Sequence, residues 1–132
     1  MGDLPLSQRV ISFVTAHLRT IDDLHLLVAM AGAQDRWFDA ETAARELAVT
    51  ARDARAALER LASHNLLEIR VTGDVRYQFR PGTPELRDAV GECVDAYHRN
   101  PVALWRVAFE QLDRRGARDF ADAFRIRRND ER

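Results

Sequence analysis

Lysine is absent from this chain and cysteine occurs once, so all 20 basic residues are arginines. The single cysteine, Cys93, cannot form an internal disulfide, and nothing in the sequence therefore requires an oxidising compartment. No apolar run approaches the roughly 20 residues that a membrane-spanning helix needs. The opening residues, MGDLPLSQRV, lack the basic, apolar and small-residue sections of an export signal. We therefore expect a cytoplasmic protein.

Motifs of catalysis and of metal binding are also missing. The sequence has no Gly-rich phosphate loop and no nucleophile motif. His17 and His25 have no further ligand at metal spacing, which favours ordinary packing or surface histidines. Cys93 lies in an apolar helical stripe and His98 points to a different face, so a buried, inert thiol is favoured over a nucleophile or metal site. We expect no enzymatic activity, no metal and no cofactor.

Length and charge restrict the fold and the partners. A chain of 132 residues, 46% hydrophobic and 31% charged, is expected to form one domain with helical additions. The net charge of −1 is unevenly distributed, since residues 20–49 carry two arginines and six acids, whereas residues 50–80 carry six arginines and four acids. Residues 50–80 are the most basic part, which favours a DNA contact there.

Apolar spacing and capping residues predict a mainly α fold with a small β-hairpin. Side chains that can cap helices stand at Ser7, Thr20, Asp39, Thr50 and Thr83. We expect an N-terminal helix in residues 1–19, a helix-turn-helix with a hairpin in 20–81, and a helical extension in 82–132. Residues 37–38 predict a very short strand that joins the hairpin sheet. The turn at 47–50 has no glycine, so we expect a looser turn than usual.

The helix predicted at about 51–63 has an apolar face and, opposite it, a face with several arginines. A recognition helix contacts bases and phosphates from its first turns. The DNA contacts expected from this helix are Thr50, Arg52, Arg55, Ala56 and Arg60. Glu59 would repel phosphate, although it could accept a hydrogen bond from cytosine or pair with Arg55. A solvated face with intrahelical ion pairs is the alternative.

Alternating apolar residues in 66–80 predict the register of the hairpin. A three-residue loop around Gly73 puts every apolar residue of both strands on one face, which we expect to be buried. That register sets Arg70 opposite Arg76 on the outer face, where like charges destabilise the pair. The cost is tolerable if both arginines contact DNA phosphates. Alternatively, Glu68 on the diagonal neutralises Arg76.

Apolar residues beyond the hairpin exceed what one small core needs. After Asn100 and Pro101 they spread around most of a helix, and a last amphipathic segment follows Gly116. This surplus indicates a two-fold dimer interface. The expected dimerisation residues are Leu104, Trp105, Ala108, Phe109, Leu112, Phe120 and Phe124.

The stretch RAALERLASHNLLEIR is typical of a recognition helix that continues into the first strand of a wing. From about Ile21 to Phe79 the chain resembles winged helix-turn-helix transcriptional regulators of the broad MarR-type class. The segments TPELRDAVGECVDAYHRNPVALWRVAF and FADAFRIRR resemble a group of small proteobacterial winged-helix proteins described as candidate regulators. The resemblance implies a winged-helix fold and DNA binding, and it implies no inducer.

Two functions remain open at this point. In the first, a homodimer binds double-stranded DNA, with the helix at 51–63 in the major groove and Arg70 and Arg76 on flanking phosphates. In the second, a winged helix docks another protein through the apolar C-terminal helices or the acidic region 33–47. The placement of the arginines favours DNA, and the weak net basicity favours a protein partner.

Overall fold

The computed structural model describes residues 7–107 and residue 110. The helices are α1 (Gln8–His17), α2 (Ile21–Ala31), α3 (Ala40–Leu47), α4 (Ala51–Ser63) and α5 (Pro84–Arg99), and residues 101–107 form a further helix, α6. The strands are β1 (Trp37–Phe38), β2 (Leu67–Thr72) and β3 (Asp74–Phe79). The protein is thus mainly helical with one small antiparallel sheet, which confirms the expected α+β class.

Side-chain caps start the helices where the sequence predicted them. In α1 to α5, the capping oxygen accepts a hydrogen bond from the amide three residues further on, and the capping residues are Ser7, Thr20, Asp39, Thr50 and Thr83. Asn100 does the same for α6, since its Oδ1 accepts from the Ala103 amide at 3.2 Å. These bonds fix the point at which each helix begins.

The turn between α3 and α4 is tight, so the expectation of a looser turn was wrong. Ala48 adopts a left-handed conformation with φ 56° and ψ 46°. The Val49 amide bonds the Ala44 carbonyl at 3.0 Å, and the Ala48 amide bonds the Arg45 carbonyl at 3.4 Å, as in a Schellman motif. A β-carbon in this conformation costs roughly 1 kcal/mol. The helix end adopts the usual geometry in spite of that cost.

The sheet has the strand order β1-β3-β2 and the predicted register. Arg70 lies opposite Arg76, and the short strand β1 pairs with β3, as expected. Thr72 also pairs with Asp74, which leaves only Gly73 at the tip with a φ of 94°. A glycine suits this position because side chains rarely tolerate such a φ.

The core lies between the helices and one face of the sheet. Val10, Phe13 and Val14 of α1 are buried, as are the apolar face predicted for α4 and Cys93 on α5. The apolar face of the hairpin is buried only at its base, where Leu67, Tyr77 and Phe79 pack. At the tip, Ile69 is 51%, Val71 71% and Val75 42% exposed. The expectation that the whole apolar face is buried was therefore wrong, because within residues 7–107 nothing covers the tip.

Two of the expected dimerisation residues lie in the described helix α6. Leu104 is fully buried in the core of its own chain, so its side chain is not available to a second copy. Trp105 is half-buried, with its ring 4.7 Å from that of His25. Ala108, Phe109, Leu112, Phe120 and Phe124 lie outside the described residues. Among the helices that the structure describes, none is both long and apolar enough to cross a membrane.

Candidate interaction cleft

Two of the predicted DNA-contacting arginines point from α4 into solvent. Arg52 and Arg55 are exposed in the first turns of the helix. Neither belongs to an ion pair in the part of the chain that the structure describes. Ala56 is half-buried beside them, and the Thr50 hydroxyl accepts from the Asp53 amide at 3.0 Å as the helix cap. These arginines are thus free to bind a partner.

Arg60 has a different environment, which corrects its assignment as a DNA contact. Its guanidinium donates to both carboxylate oxygens of Asp23, with Nη2 at 2.9 Å from Oδ1 and Nε at 3.1 Å from Oδ2. The Asp23 side chain is fully buried, and it also accepts from the amides of Arg19 and Thr20. A buried carboxylate needs such partners because desolvation of its charge is costly. Arg60 therefore joins α4 to α2 rather than facing a ligand.

Sequence reasoning missed this ion pair. It assigned Asp23 only to the favourable first turn of α2. One local signal was present, since Thr20 and Asp23 have capping-box spacing and do form the reciprocal cap. Nothing in the spacing showed that Arg60, 37 residues further on, would reach the same carboxylate.

The hairpin arginines lie on the outer face of the sheet. The Arg70 guanidinium stacks over the Trp37 ring at 4.3 Å from its centroid. Arg76 donates through Nε to Asp74 at 3.0 Å. Glu68 accepts a hydrogen bond from Arg80 at 3.3 Å and none from Arg76. The alternative in which Glu68 neutralises Arg76 was therefore wrong, because Asp74 is the carboxylate that does so.

The hairpin arginines lie on the face of the sheet opposite to the one that packs against the helices. Successive residues of a strand point to opposite faces, and Tyr77 and Phe79 are buried on the face that packs against the helices. Arg76 alternates with them and faces away, and so does its cross-strand partner Arg70. Both hairpin arginines therefore lie on the outer face of the sheet, as the predicted register placed them.

A cleft of about 600 Å³ lies between α4, β3 and the start of α3, and we call it the α4–β3 cleft. It is lined by Asp39, Ala40, Glu41, Arg55, Glu59, Asp74, Val75 and Tyr77. Four of these side chains carry carboxylates and one is an arginine. The remaining three supply an apolar floor with one phenol. The cleft is thus acidic, although it is bordered by the helix that the sequence marked as basic.

Electrostatic effects within the cleft keep it negative. The pKa of Asp39 lies below its usual range because the carboxylate accepts a hydrogen bond from the Thr42 amide at 2.7 Å. The Thr42 side chain, Arg76 and Arg45 lower it further. The pKa of Tyr77 is raised, first by burial and then by the charge of Glu59, so the phenol stays neutral and can donate a hydrogen bond. An incoming group therefore meets carboxylates and a phenol donor.

The histidines take part in packing contacts, as expected. Nδ1 of His17 lies 3.1 Å from Nδ1 of His64, so one ring donates to the other and joins α1 to the end of α4. Burial, and then the nearby His64, lower the pKa of His17. Over residues 7–107 and 110, no three His, Cys, Asp or Glu side chains are grouped so that they could hold a metal ion.

Comparison of the chain with protein-family models, with curated proteins and with solved structures gave no match.

Proposed function

We propose that this chain is a winged helix-turn-helix module that docks another protein through the α4–β3 cleft. In this assignment α3 and α4 are the helix-turn-helix, and the β2–β3 hairpin is the wing. The observation that carries the proposal is the charge of the cleft, where four carboxylates and one arginine surround an apolar floor. The partner that fits is a cationic protein segment that also presents an apolar side chain.

Electrostatics favour a protein partner over a DNA duplex. A winged helix on DNA brings the phosphate backbone near the space between its recognition helix and its wing. Here that space holds Glu41 and Glu59, which have no ion-pair partner within the described ranges, as well as Asp39 and Asp74. DNA affinity comes largely from arginines and lysines that neutralise phosphates. In the cleft, only Arg55 is placed to neutralise a phosphate. A cationic protein segment would instead meet all four carboxylates.

Exposed apolar residues on the hairpin extend the same surface. Val75 lines the cleft, and its cross-strand partner Val71 lies on the same face of the sheet, as does Ile69 opposite Tyr77. Together they leave an apolar strip exposed beside the acidic rim. An apolar centre with a charged rim is typical of protein interfaces.

Site-specific photo-crosslinking in the native host tests the proposal. A photoreactive amino acid at Val75 should give a discrete protein adduct, whereas the same group at the exposed Arg87 on α5 should not. Reversal of the cleft charges, Glu41→Arg with Glu59→Arg, should abolish the adduct. The matched control reverses two exposed acids on α5, Asp88→Arg with Asp95→Arg, and should keep it. An adduct that survives the cleft reversal, or is lost in both reversals, would contradict the proposal.

DNA binding is the second candidate, and Arg52 and Arg55 are the observation that favours it. Both are exposed at the start of α4, free of ion pairs within the described residues, where they could contact a major groove. If this function is correct, affinity for duplex DNA should be measurable at low salt and fall steeply as salt rises. Arg52→Ala should remove sequence preference, while Arg87→Ala should not. In that case the Glu41 and Glu59 reversal should strengthen DNA binding, because it removes repulsion from phosphate.

A further inference from the structure

Strand β2 is an exposed edge of the sheet. The strand order β1-β3-β2 leaves one side of β2 without a partner strand among the described residues. It is six residues long, contains no proline, and is exposed at every position after Leu67. Natural proteins usually protect such an edge, because its free backbone groups and apolar side chains pair readily with another strand.

The backbone groups that face this open edge can be identified. The Arg80 amide donates to the Leu66 carbonyl at 3.0 Å, so these two residues form a hydrogen-bonded pair. Bonded and non-bonded pairs alternate along an antiparallel ladder. Residues 68, 70 and 72 therefore bond β3, and Leu67, Ile69 and Val71 direct their N–H and C=O groups toward the open edge.

The side chains of β2 are self-complementary. When β2 runs antiparallel to β2 of a second copy, with the two-fold axis at Ile69, Glu68 faces the partner's Arg70 and Arg70 faces the partner's Glu68. Leu67 then faces the partner's Val71, so the apolar face continues across the axis. If the register between the two β2 strands shifted by two residues, Arg70 would face the partner's Arg70, or Glu68 would face the partner's Glu68. Charge thus selects one register.

We propose that two copies of this chain pair through antiparallel β2 strands, which join their sheets into one. The pairing forms about six backbone hydrogen bonds from residues 67, 69 and 71. It sets Ile69 beside the partner's Ile69 and Val71 beside the partner's Leu67 without covering the apolar face, and it gives Arg70 a carboxylate beside the like charge of Arg76. This interface differs from the C-terminal helices expected from the sequence, and it does not depend on the function proposed for the cleft.

Charge exchange tests the pairing and its register. Glu68→Arg alone and Arg70→Glu alone each create two like-charge pairs, so each should weaken self-association about tenfold or more. A mixture of these two variants restores opposite charges and should form a heterodimer, as should the double variant Glu68→Arg with Arg70→Glu with itself. The control Arg80→Ala removes the intrachain partner of Glu68 and should still dimerise. Sedimentation velocity over a concentration series measures each case.

Cysteine cross-linking tests the position of the axis. Facing bonded residues have Cα atoms about 5.5 Å apart, a distance that a disulfide can span. Ile69→Cys should therefore form an intermolecular disulfide under mild oxidation. Val71→Cys is the control, because the two copies of residue 71 lie several residues apart across the axis although Val71 is more exposed than Ile69. Native Cys93 does not interfere, since it is buried and burial raises its pKa to about 12.

Two results would overturn the proposal. One is a parent protein that remains monomeric up to about 1 mM, together with an Ile69→Cys variant that forms no intermolecular disulfide. The other is a dimer whose affinity does not change with either single charge reversal, because such a dimer uses another surface. Circular dichroism of each variant separates a change in association from a loss of fold.

Discussion

The base and the tip of the β2–β3 hairpin carry the same kind of side chain in contrasting surroundings. Leu67 and Phe79 at the base are buried against the helices, while Ile69 and Val71 on the same face are exposed at the tip. Both regions obey one alternation of apolar and polar residues. Alternation determines which face a residue occupies, and the extent of the neighbouring helices determines whether that face is covered. Among the residues that the structure describes, none covers the apolar face of the tip.

Arginines on α4 show the same contrast. Arg60 faces α2 and bonds the buried Asp23, whereas Arg52 is exposed. Both lie in a helix rich in arginine, and the neighbouring element decides which of them holds the fold together. Arg60 therefore contributes to the stability of the fold, whereas Arg52 remains available to bind a partner.

The largest expected effect separates base from tip. Phe79→Ala should lower the free energy of unfolding by about 3 to 5 kcal/mol, because it removes buried contacts and leaves a cavity. Val71→Ala should change it by less than about 0.5 kcal/mol in dilute protein, since the side chain is largely exposed. Urea denaturation of both variants measures the difference. Similar losses at both positions would show that the tip is covered in solution.

A somewhat smaller difference is expected between the arginines. Arg60→Ala should cost about 3 kcal/mol, because Asp23 would then be a buried charge without a cationic partner, bonded only to the Thr20 hydroxyl and two backbone amides. Arg52→Ala should cost less than about 0.5 kcal/mol. The midpoints of urea unfolding compare the two. If Arg60→Ala were as mild as Arg52→Ala, water or another donor would have to reach Asp23.

The smallest effect concerns a titrating contact in the covered region. The pKa of His17 is lowered in the folded state, so the folded protein binds this proton more weakly than the unfolded chain does. The contribution of neutral His17 to stability is complete above the usual histidine pKa of about 6.5, and it is lost as the pH falls below that pKa. Unfolding free energy should therefore decrease between about pH 7 and pH 5. His17→Gln should flatten this slope, and His98→Gln, an exposed histidine, is the matched control.

Local rules were sufficient for most of the fold. Five helix caps, the short strand at Trp37 and the pairing of Arg70 with Arg76 all follow from spacing and side-chain chemistry. Ala48 is an exception, because the tertiary packing of α3 on α4 holds an alanine in a conformation that its own preference disfavours.

The candidate site was less accessible to sequence reasoning. Residues far apart in the chain decide its charge, since Asp39 caps α3, Glu41 lies in its first turn, Glu59 comes from α4 and Asp74 from β3. Counting by segment assigned the first two to an acidic region and the others to a basic one. Only the fold brings these acids together, and only the fold directs Arg60 inward.

Cys93 gives this protein a native reporter of its own breathing motions. The thiol is completely enclosed on α5, which packs against α1 and α2. With its pKa raised to about 12, it hardly reacts while the helices stay together. A thiol reagent can modify it only during transient separation of these helices, so the rate of modification counts those separations. One atom of sulfur thus allows local opening to be timed without an added label.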